Sequence, residues 1–561
     1  MNRNPPVRHG VAARGGAATL LWSCIILLAQ LLPAASSADE ALRARIEALA
    51  VEPRVDGVAV ADPWFLIRYY ERQQFSPAWE SDAKRDALLG ALARSAEHGL
   101  DPDDYHIALL REHAAGIHDE DGLDAVHFEI LASDALARYA FHLRFGKVNP
   151  EALEPSWNFS RSLEGTNPLA VFQRLIRADD IAAEVEALAP QEQRYTDLKA
   201  ALAAYRDIER AGGWPQLDGG AALRPGMRDP RVAGLRERLR IEGYLGTTDG
   251  SGDPELYDAP LEAAVRAFQR LHGLDADGVV GTRSIAALNV PVAARIDQIR
   301  VNLEQLRWIF RDLEERYIVA NIARFQVSLI ENGERVWTTR AVVGRPYRQT
   351  PTFRARMTYL VLNPTWTVPP GILRADLLPE LRLDPDALVR RNMVVLDTAG
   401  RVVDPASVDW NAPQFPYMLR QQPGPDNALG RVKFMFPNPH HVYMHDTPSR
   451  ELFERVDRTF SSGCIRLENP LELAELLLAE TGRWDRRAID AAIATGQERT
   501  ITLPRPLTVL LIYATVVPED GELYLLQDVY GRDGRVLEAL EAPFEFVPPT
   551  GYVEALTADS A

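Results

Sequence analysis

Two segments concentrate the residue types that acyl transfer needs: His440-His-Val-Tyr-Met-His-Asp-Thr-Pro448 and Thr459-Phe-Ser-Ser-Gly-Cys-Ile-Arg466. A cysteine attacks a carbonyl as the thiolate, and with a free pKa of about 8.5 only a few per cent is ionised at neutral pH. An imidazole within reach can take the proton. His445 precedes Cys464 by 19 residues on the edge of a strand-like Val-Tyr-Met run, and a strand-to-loop fold-back brings the two together. Gly463 lets backbone approach a substrate closely, so N–H groups of Gly463 and Cys464 are candidate oxyanion donors. Arg466 could orient a substrate carboxylate. Ser461 and Ser462 stand beside the nucleophile as further substrate contacts.

Rival patterns are weaker. His441 and His445 have the i, i+4 spacing of a helical zinc motif, but the residues between them are strand-like and no Glu follows His441. Ser81-Asp-Ala-Lys84 matches Ser-x-x-Lys without a Lys-Thr-Gly partner. No glycine-rich phosphate loop is present, which argues against nucleotide use. The expectation is a site without metal or cofactor.

The chain has 561 residues, enough for three or four domains. Hydrophobic residues make up 46% and charged residues 25%, so it can bury sizeable cores. Its 62 Lys+Arg against 79 Asp+Glu give a net charge of −17, the wrong sign for a nucleic-acid binder. Arg3, Arg8 and Arg14 precede an uncharged apolar stretch from Gly15 to Leu32, followed by small residues up to Ala38. That three-part pattern predicts a secretory signal over residues 1–38, with an uncleaved anchor as the alternative. The expected location is the periplasm, membrane-associated if the segment is retained. Cleavage removes Cys24 and leaves Cys464 as the single cysteine, in a compartment where paired thiols oxidise.

The elements that must position the motif follow from periodicity. Residues 39–223 show helical spacing, such as Leu88, Leu89 and Leu92, and predict a helical scaffold domain with no spacing that suggests a metal or phosphate site. Residues 224–292 predict three short helices. Val232, Leu235 and Leu239 mark the first, Leu261, Val265 and Phe268 the second, and Thr282 is the expected N-cap of the third. Its stretch from Ala264 to Gly281 resembles the small peptidoglycan-binding domain found beside cell-wall enzymes. From about residue 300 to 540 the texture turns to β, with a hairpin predicted at Glu331-Asn-Gly333. Residues 372–423 read as an insertion with helical and Pro-rich parts, long enough to cap a site. Residues 541–561 read as a loose tail.

The His and Cys segments together resemble the signature of L,D-transpeptidases with a YkuD-type catalytic domain, and within them the YcbB-like subgroup. Asn363-Pro-Thr-Trp-Thr-Val-Pro-Pro370 and Gly424-Pro-Asp-Asn-Ala-Leu-Gly-Arg-Val-Lys-Phe434 extend the resemblance. It implies a multidomain α+β protein: a helical scaffold, a three-helix peptidoglycan-binding unit and a β-rich catalytic domain with a capping insertion. It further implies that Cys464 attacks the third residue of a tetrapeptide stem, expels D-Ala, and passes the thioester to the amine of a second stem. His445 would serve as base, and Asp446 would either orient it, through its carbonyl or its carboxylate, or cap the following Thr-Pro turn. Tyr443, Trp366 and Asn427 would line the substrate groove. Implied partners are stem peptides, glycan and enzymes that supply tetrapeptide donors. Water as acceptor would make an L,D-carboxypeptidase, a lipoprotein amine would make an anchoring enzyme, and an inert Cys464 would leave a wall-binding protein.

Overall fold

A computed structural model describes residues 37–117, 122–159, 161–163, 165–246, 252–310, 313–412 and 414–558. The predicted signal segment lies outside them apart from its last two residues, which open the first helix. The chain divides into two compact units, one made of residues up to Asp86 together with Ala108–Asp134, the other of Ala87–Ile107 and Ala135 onward.

The first unit contains the helices α1 (Ser37–Ala48) and α2 (Pro63–Arg72) and a hairpin of β1 (Arg54–Val55) and β2 (Val58–Ala59). It also holds most of α3 (Ile107–Gly116) and the first half of α4 (Leu123–Phe145). Asp62 caps α2 by accepting from the Phe65 N–H at 3.1 Å, and Pro63 supplies a first-turn residue with no N–H to satisfy. Its interior is organised by a buried acid. Glu129 accepts from the Tyr70 hydroxyl at 2.7 Å and from the backbone of Ala78 and Trp79, and burial pushes its carboxyl up.

In the second unit, α5 (Arg231–Ile241), α6 (Ala259–Leu271) and α7 (Thr282–Leu288) form a small bundle around Leu235, Leu239, Leu261, Val265 and Phe268. Leu217 and Leu223 also pack into this core, so residues that periodicity assigned to the scaffold's end serve the bundle. Thr282 is the first helical residue rather than the cap. Gly281 holds the cap position without a side-chain hydrogen bond. Next comes α8 (Val292–Ile309), a helix buried throughout from Val301 to its end. Its Glu304 accepts from the Val148 N–H at 2.8 Å and the Trp308 indole at 3.0 Å.

The β-rich region contains β3 (Arg316–Asn321), β4 (Gln326–Glu331), β5 (Glu334–Gly344) and β6 (Phe353–Leu362) before the insertion, with β7 (Trp366–Thr367) at its start. Asn332 and Gly333, at φ of 52° and 83°, make the expected two-residue turn between β4 and β5. The insertion folds as a body of its own. Short helical turns and the strands β8 (Met393–Leu396), β9 (Val402–Val403) and β10 (Met418–Gln421) join β7 in a four-stranded sheet over Leu377, Leu381, Val395 and Leu419. The sheet was not read from the sequence, because its strands are two to four residues long. After the insertion come β11 (Val432–Met435), β12 (Met444–His445), β13 (Thr459–Ser461), β14 (Ile465–Leu467) and β15 (Arg499–Ile512). Pairing runs β5-β14-β12-β11-β6-β15-β3-β4 and returns from β4 to β5, with β13 added alongside β5. Apolar side chains of these strands share one core with α9 (Pro470–Leu478) and α10 (Arg486–Ala494).

The C-terminal segment is not loose as far as it is described. It carries α11 (Asp533–Glu541) and α12 (Tyr552–Thr557), buries Tyr552 and Leu556, and the Thr550 N–H donates to Arg161 O at 2.8 Å. Apolar spacing in so short a stretch was too sparse to announce this docking.

Candidate active site

Strand register decides which side chains meet. β12 and β14 run parallel, with Met444 opposite Ile465 and His445 opposite Arg466. One step back, Tyr443 is opposite Cys464, and the Ile465 N–H donates to Tyr443 O at 3.1 Å. Because side chains alternate along a strand, Met444 and Ile465 point one way and are fully buried in the core. Tyr443, His445, Cys464 and Arg466 share the other face. On the far side of β12, Lys433 of β11 is opposite His445. The face therefore carries a row of Lys433, His445 and Arg466 across three strands, with Tyr443 and Cys464 beside it.

His445 is 4% exposed, and its Nδ1 lies 2.5 Å from the backbone oxygen of Asp446. A carbonyl only accepts, so the proton sits on Nδ1 and Nε2 keeps its lone pair. Asp446 thus meets the ring through its backbone carbonyl. Its carboxylate turns away and accepts from the Arg431 N–H at 2.9 Å, with the guanidinium groups of Arg431 and Arg450 at 3.3 and 3.5 Å. Gly430 makes that arrangement possible. At φ of 60° it packs so closely that an added Cβ would fall 2.5 Å from the Asp446 side chain.

Electrostatics keep both reacting groups neutral. Burial, then Arg466, with Lys433 adding to it, push His445 down to about 3 against the opposing pull of the Asp446 carbonyl. Loss of solvent around its sulfur pushes the partly exposed Cys464 thiol up, partly offset by hydrogen bonds from Tyr443 and by the charge of Arg466. The thiol sulfur lies 3.9 Å from the carbonyl of His441. Tyr443, half-buried, reaches with its side chain both Cys464 and Trp366.

Around the nucleophile, the serines and glycine take parts other than those expected. Ser461 is buried, donates to Cys464 O at 2.5 Å and accepts the Gly463 N–H at 3.1 Å. It shapes the loop and is closed to substrate. The Gly463 N–H is thereby spent, which corrects its reading as an oxyanion donor. Among the described residues the Cys464 N–H has no partner and is the donor that remains. Gly463 still needs its freedom, at φ of 115°, and its carbonyl accepts from the buried Thr350 hydroxyl at 2.9 Å. Ser462 is exposed and accepts from Arg348 at 3.0 Å. The same guanidinium pairs with Asp376 of the insertion at 2.6 Å, tying the cap to the nucleophile loop.

Arg466 is largely buried on the site face with its Nε unpartnered. Asn427 does not fit a substrate role. It is fully buried, donates to Pro364 O and Gln422 O at 3.1 and 2.9 Å, and accepts from the Leu429 N–H at 2.8 Å, so both its N–H donors and its oxygen hold a turn. Lys433 is the residue sequence reasoning passed over. It makes no ion pair among the described residues, and burial pushes its ammonium down. The signal was available, since only four of the 62 basic residues are lysine.

A buried imidazole with a fixed tautomer, a thiol, a free backbone N–H and flanking cations stand on one face of a closed β-sheet, a set of groups that acyl transfer could use. Residues 315–493 match the family model described as "L,D-transpeptidase catalytic domain", residues 228–288 that of "Putative peptidoglycan binding domain", and residues 65–202 that of "Scaffold domain". The chain thus carries an L,D-transpeptidase catalytic domain of the YkuD family together with a peptidoglycan-binding domain. A Haemophilus influenzae protein named "Putative L,D-transpeptidase" is 35% identical over 241 residues, 43% of this chain and 48% of that protein. The Mycobacterium tuberculosis "N-acetylmuramoyl-L-alanine amidase CwlM" is 41% identical over 80 residues, 13% and 20% of the two chains. The match thus spans about half the length of the first relative and a fifth of the second. Among solved structures, the L,D-transpeptidase of Xylanimonas cellulosilytica is 17% identical, covering 53% of this chain and 99% of that one at a TM-score of 0.17. The Stackebrandtia nassauensis L,D-transpeptidase gives 12%, 55%, 99% and 0.20. Superpositions this weak add nothing to the assignment.

Proposed function

We propose that this protein is a peptidoglycan L,D-transpeptidase of the YcbB-like subgroup that links the third residues of two stem peptides through a thioester on Cys464. The observation that carries the reading is the single sheet face shared by Cys464, Tyr443, His445 and Arg466, with the imidazole tautomer fixed by the Asp446 carbonyl. Nε2 of His445 takes the thiol proton as sulfur attacks the third-residue carbonyl. The developing oxyanion is met by the Cys464 N–H. Collapse expels D-Ala, whose amine receives the proton from His445. The side-chain amine of a second stem then attacks the thioester, gives its proton to His445, and leaves a crosslink and the free thiol. Arg466 and Lys433 offer fixed positive charge to the carboxylates of the stems. Trp366, on the cap, closes one side of the groove.

The peptidoglycan-binding domain would hold the chain to its polymeric substrate and raise the local concentration of stems. Such a substrate places the protein outside the cytoplasm, which fits export through residues 1–38 to the periplasm. Among the described residues no helix is long and apolar enough to cross a membrane. Glycan strands and enzymes that trim stems to tetrapeptides are the partners this reading requires.

The test is mass spectrometry of products after the protein meets purified disaccharide tetrapeptide. Crosslinked dimers made by the parent and not by Cys464→Ala support the proposal. Free tripeptide alone would transfer it to hydrolysis, and unchanged products from Cys464→Ala would sink it.

A further inference from the structure

The N-terminal unit brings together three side chains that the acyl-transfer site does not use. Asp56 opens the Asp56-Gly57 turn between β1 and β2, at φ of 48° and 78°, a conformation that an Asp-Gly pair adopts readily. Its Oδ2 lies 2.7 Å from Nε2 of His113 on α3 and 2.9 Å from Nδ1 of His127 on α4. The two rings meet edge to face at 5.4 Å, and the three ligand atoms lie within 4.8 Å of one another. On its other side His113 places Nδ1 2.6 Å from Oδ1 of Asp124, one turn before His127 on the same helix.

A second observation is independent of this proximity. His113 is 7% exposed, and its Nε2 is buried without a hydrogen-bond partner even though a carboxylate oxygen stands 2.7 Å away. The Asp56 contact does not lie along an N–H direction. If Asp124 accepts the Nδ1 proton, Nε2 presents a lone pair to the space shared with Asp56 and His127, the tautomer a metal-bound imidazole takes.

We propose that Asp56, His113 and His127 form a binding site for a divalent transition-metal ion, zinc foremost, with Asp124 fixing the His113 tautomer. Two imidazoles and one carboxylate suit zinc and its neighbours in the transition series, whereas calcium and magnesium call for oxygen ligands throughout. Three protein ligands leave a position for water. Bonds of about 2.0–2.1 Å in a tetrahedral site set donors about 3.3 Å apart, so the two spacings from Asp56 to the imidazoles must open by about half an ångström. Asp56, on the tip of a two-residue hairpin with a third of its side chain exposed, is the ligand free to give that distance.

The experiment uses the full chain with Cys24→Ala and Cys464→Ala, which removes both competing thiols. Chelator-stripped protein is titrated with zinc by calorimetry and again with cobalt by visible absorption. One zinc per chain is expected, with affinity lowered at least tenfold in Asp56→Ala and in His127→Ala and about tenfold in Asp124→Asn. Calcium should neither bind nor compete. His113→Ala removes a buried ring and is kept out of the decision. Asp56 and His127 are more exposed, and circular dichroism checks that those variants fold. No stoichiometric zinc, or zinc affinity unchanged in both folded variants, would overturn the proposal, as would tighter binding of calcium than of zinc.

Discussion

Burial favours the neutral thiol at Cys464 and the neutral imidazole at His445, and alkylation kinetics test this. His445 is held down to about 3 and the thiol is pushed above its ordinary value. A thiol held above its ordinary value and an imidazole held far below its own both oppose moving the proton from sulfur to the ring. The resting ion pair is then negligible, and thiolate arises only by ordinary ionisation. Thiolate is then a minor species at pH 6, rising about tenfold per pH unit up to the thiol pKa. The assay is the rate of Cys464 carbamidomethylation by iodoacetamide from pH 5 to 10, followed by intact mass. The rate should climb about a hundredfold between pH 6 and pH 8 with no acid plateau. His445→Gln should leave that profile within about twofold while slowing acylation by tetrapeptide by about 10²–10⁴. A rate that changes less than threefold between pH 5 and 8 and collapses in His445→Gln would refute the reasoning, because it would mean a preformed thiolate–imidazolium pair.

Other predictions follow from the same contacts. Because the Asp446 carbonyl holds the ring, Asp446→Asn should cost less than about tenfold in kcat/KM. Gly430→Ala, which drives a Cβ into that side chain, should cost more than tenfold with the thermal midpoint measured in parallel. Burial pushes Asp533 up to about 7, so the folded chain binds the extra proton and stability is lost as pH rises from about 3.8 through 7. Asp533→Asn should therefore raise Tm at pH 8 by about 2–4 °C, as about 1 kcal/mol does in a domain of a few hundred residues, with the gain vanishing at pH 4. His272 and His445 are pushed below the ordinary 6.5 by burial, so the unfolded chain binds more protons and stability is lost as pH falls from 6.5 toward 3. The urea midpoint should drop between pH 7 and 5, and His272→Leu should flatten that dependence.

The sequence by itself determined the elements and the reagents. Alternation along Val442 to His445, the Asn332-Gly333 turn and the apolar spacing of Leu235, Leu261 and Phe268 are local properties, set by side-chain periodicity and backbone preference within a few residues. Residue chemistry likewise put Cys464 and His445 forward, a thiol beside Gly463 with an imidazole 19 residues before it. What only tertiary structure decided was pairing between distant segments. The parallel register of β12 and β14 set Cys464 beside Tyr443 and Arg466 beside His445, and the pairing of β11 added Lys433. Folding spent the Gly463 N–H on Ser461, buried Asn427 in its own turn and chose the Asp446 carbonyl over its carboxylate. Asp56, His113 and His127 converge from a hairpin and two helices with no motif spacing at all. Hydrogen-bond capacity is finite and strand register fixes which side chains share a face, and neither is written in the local order of residues.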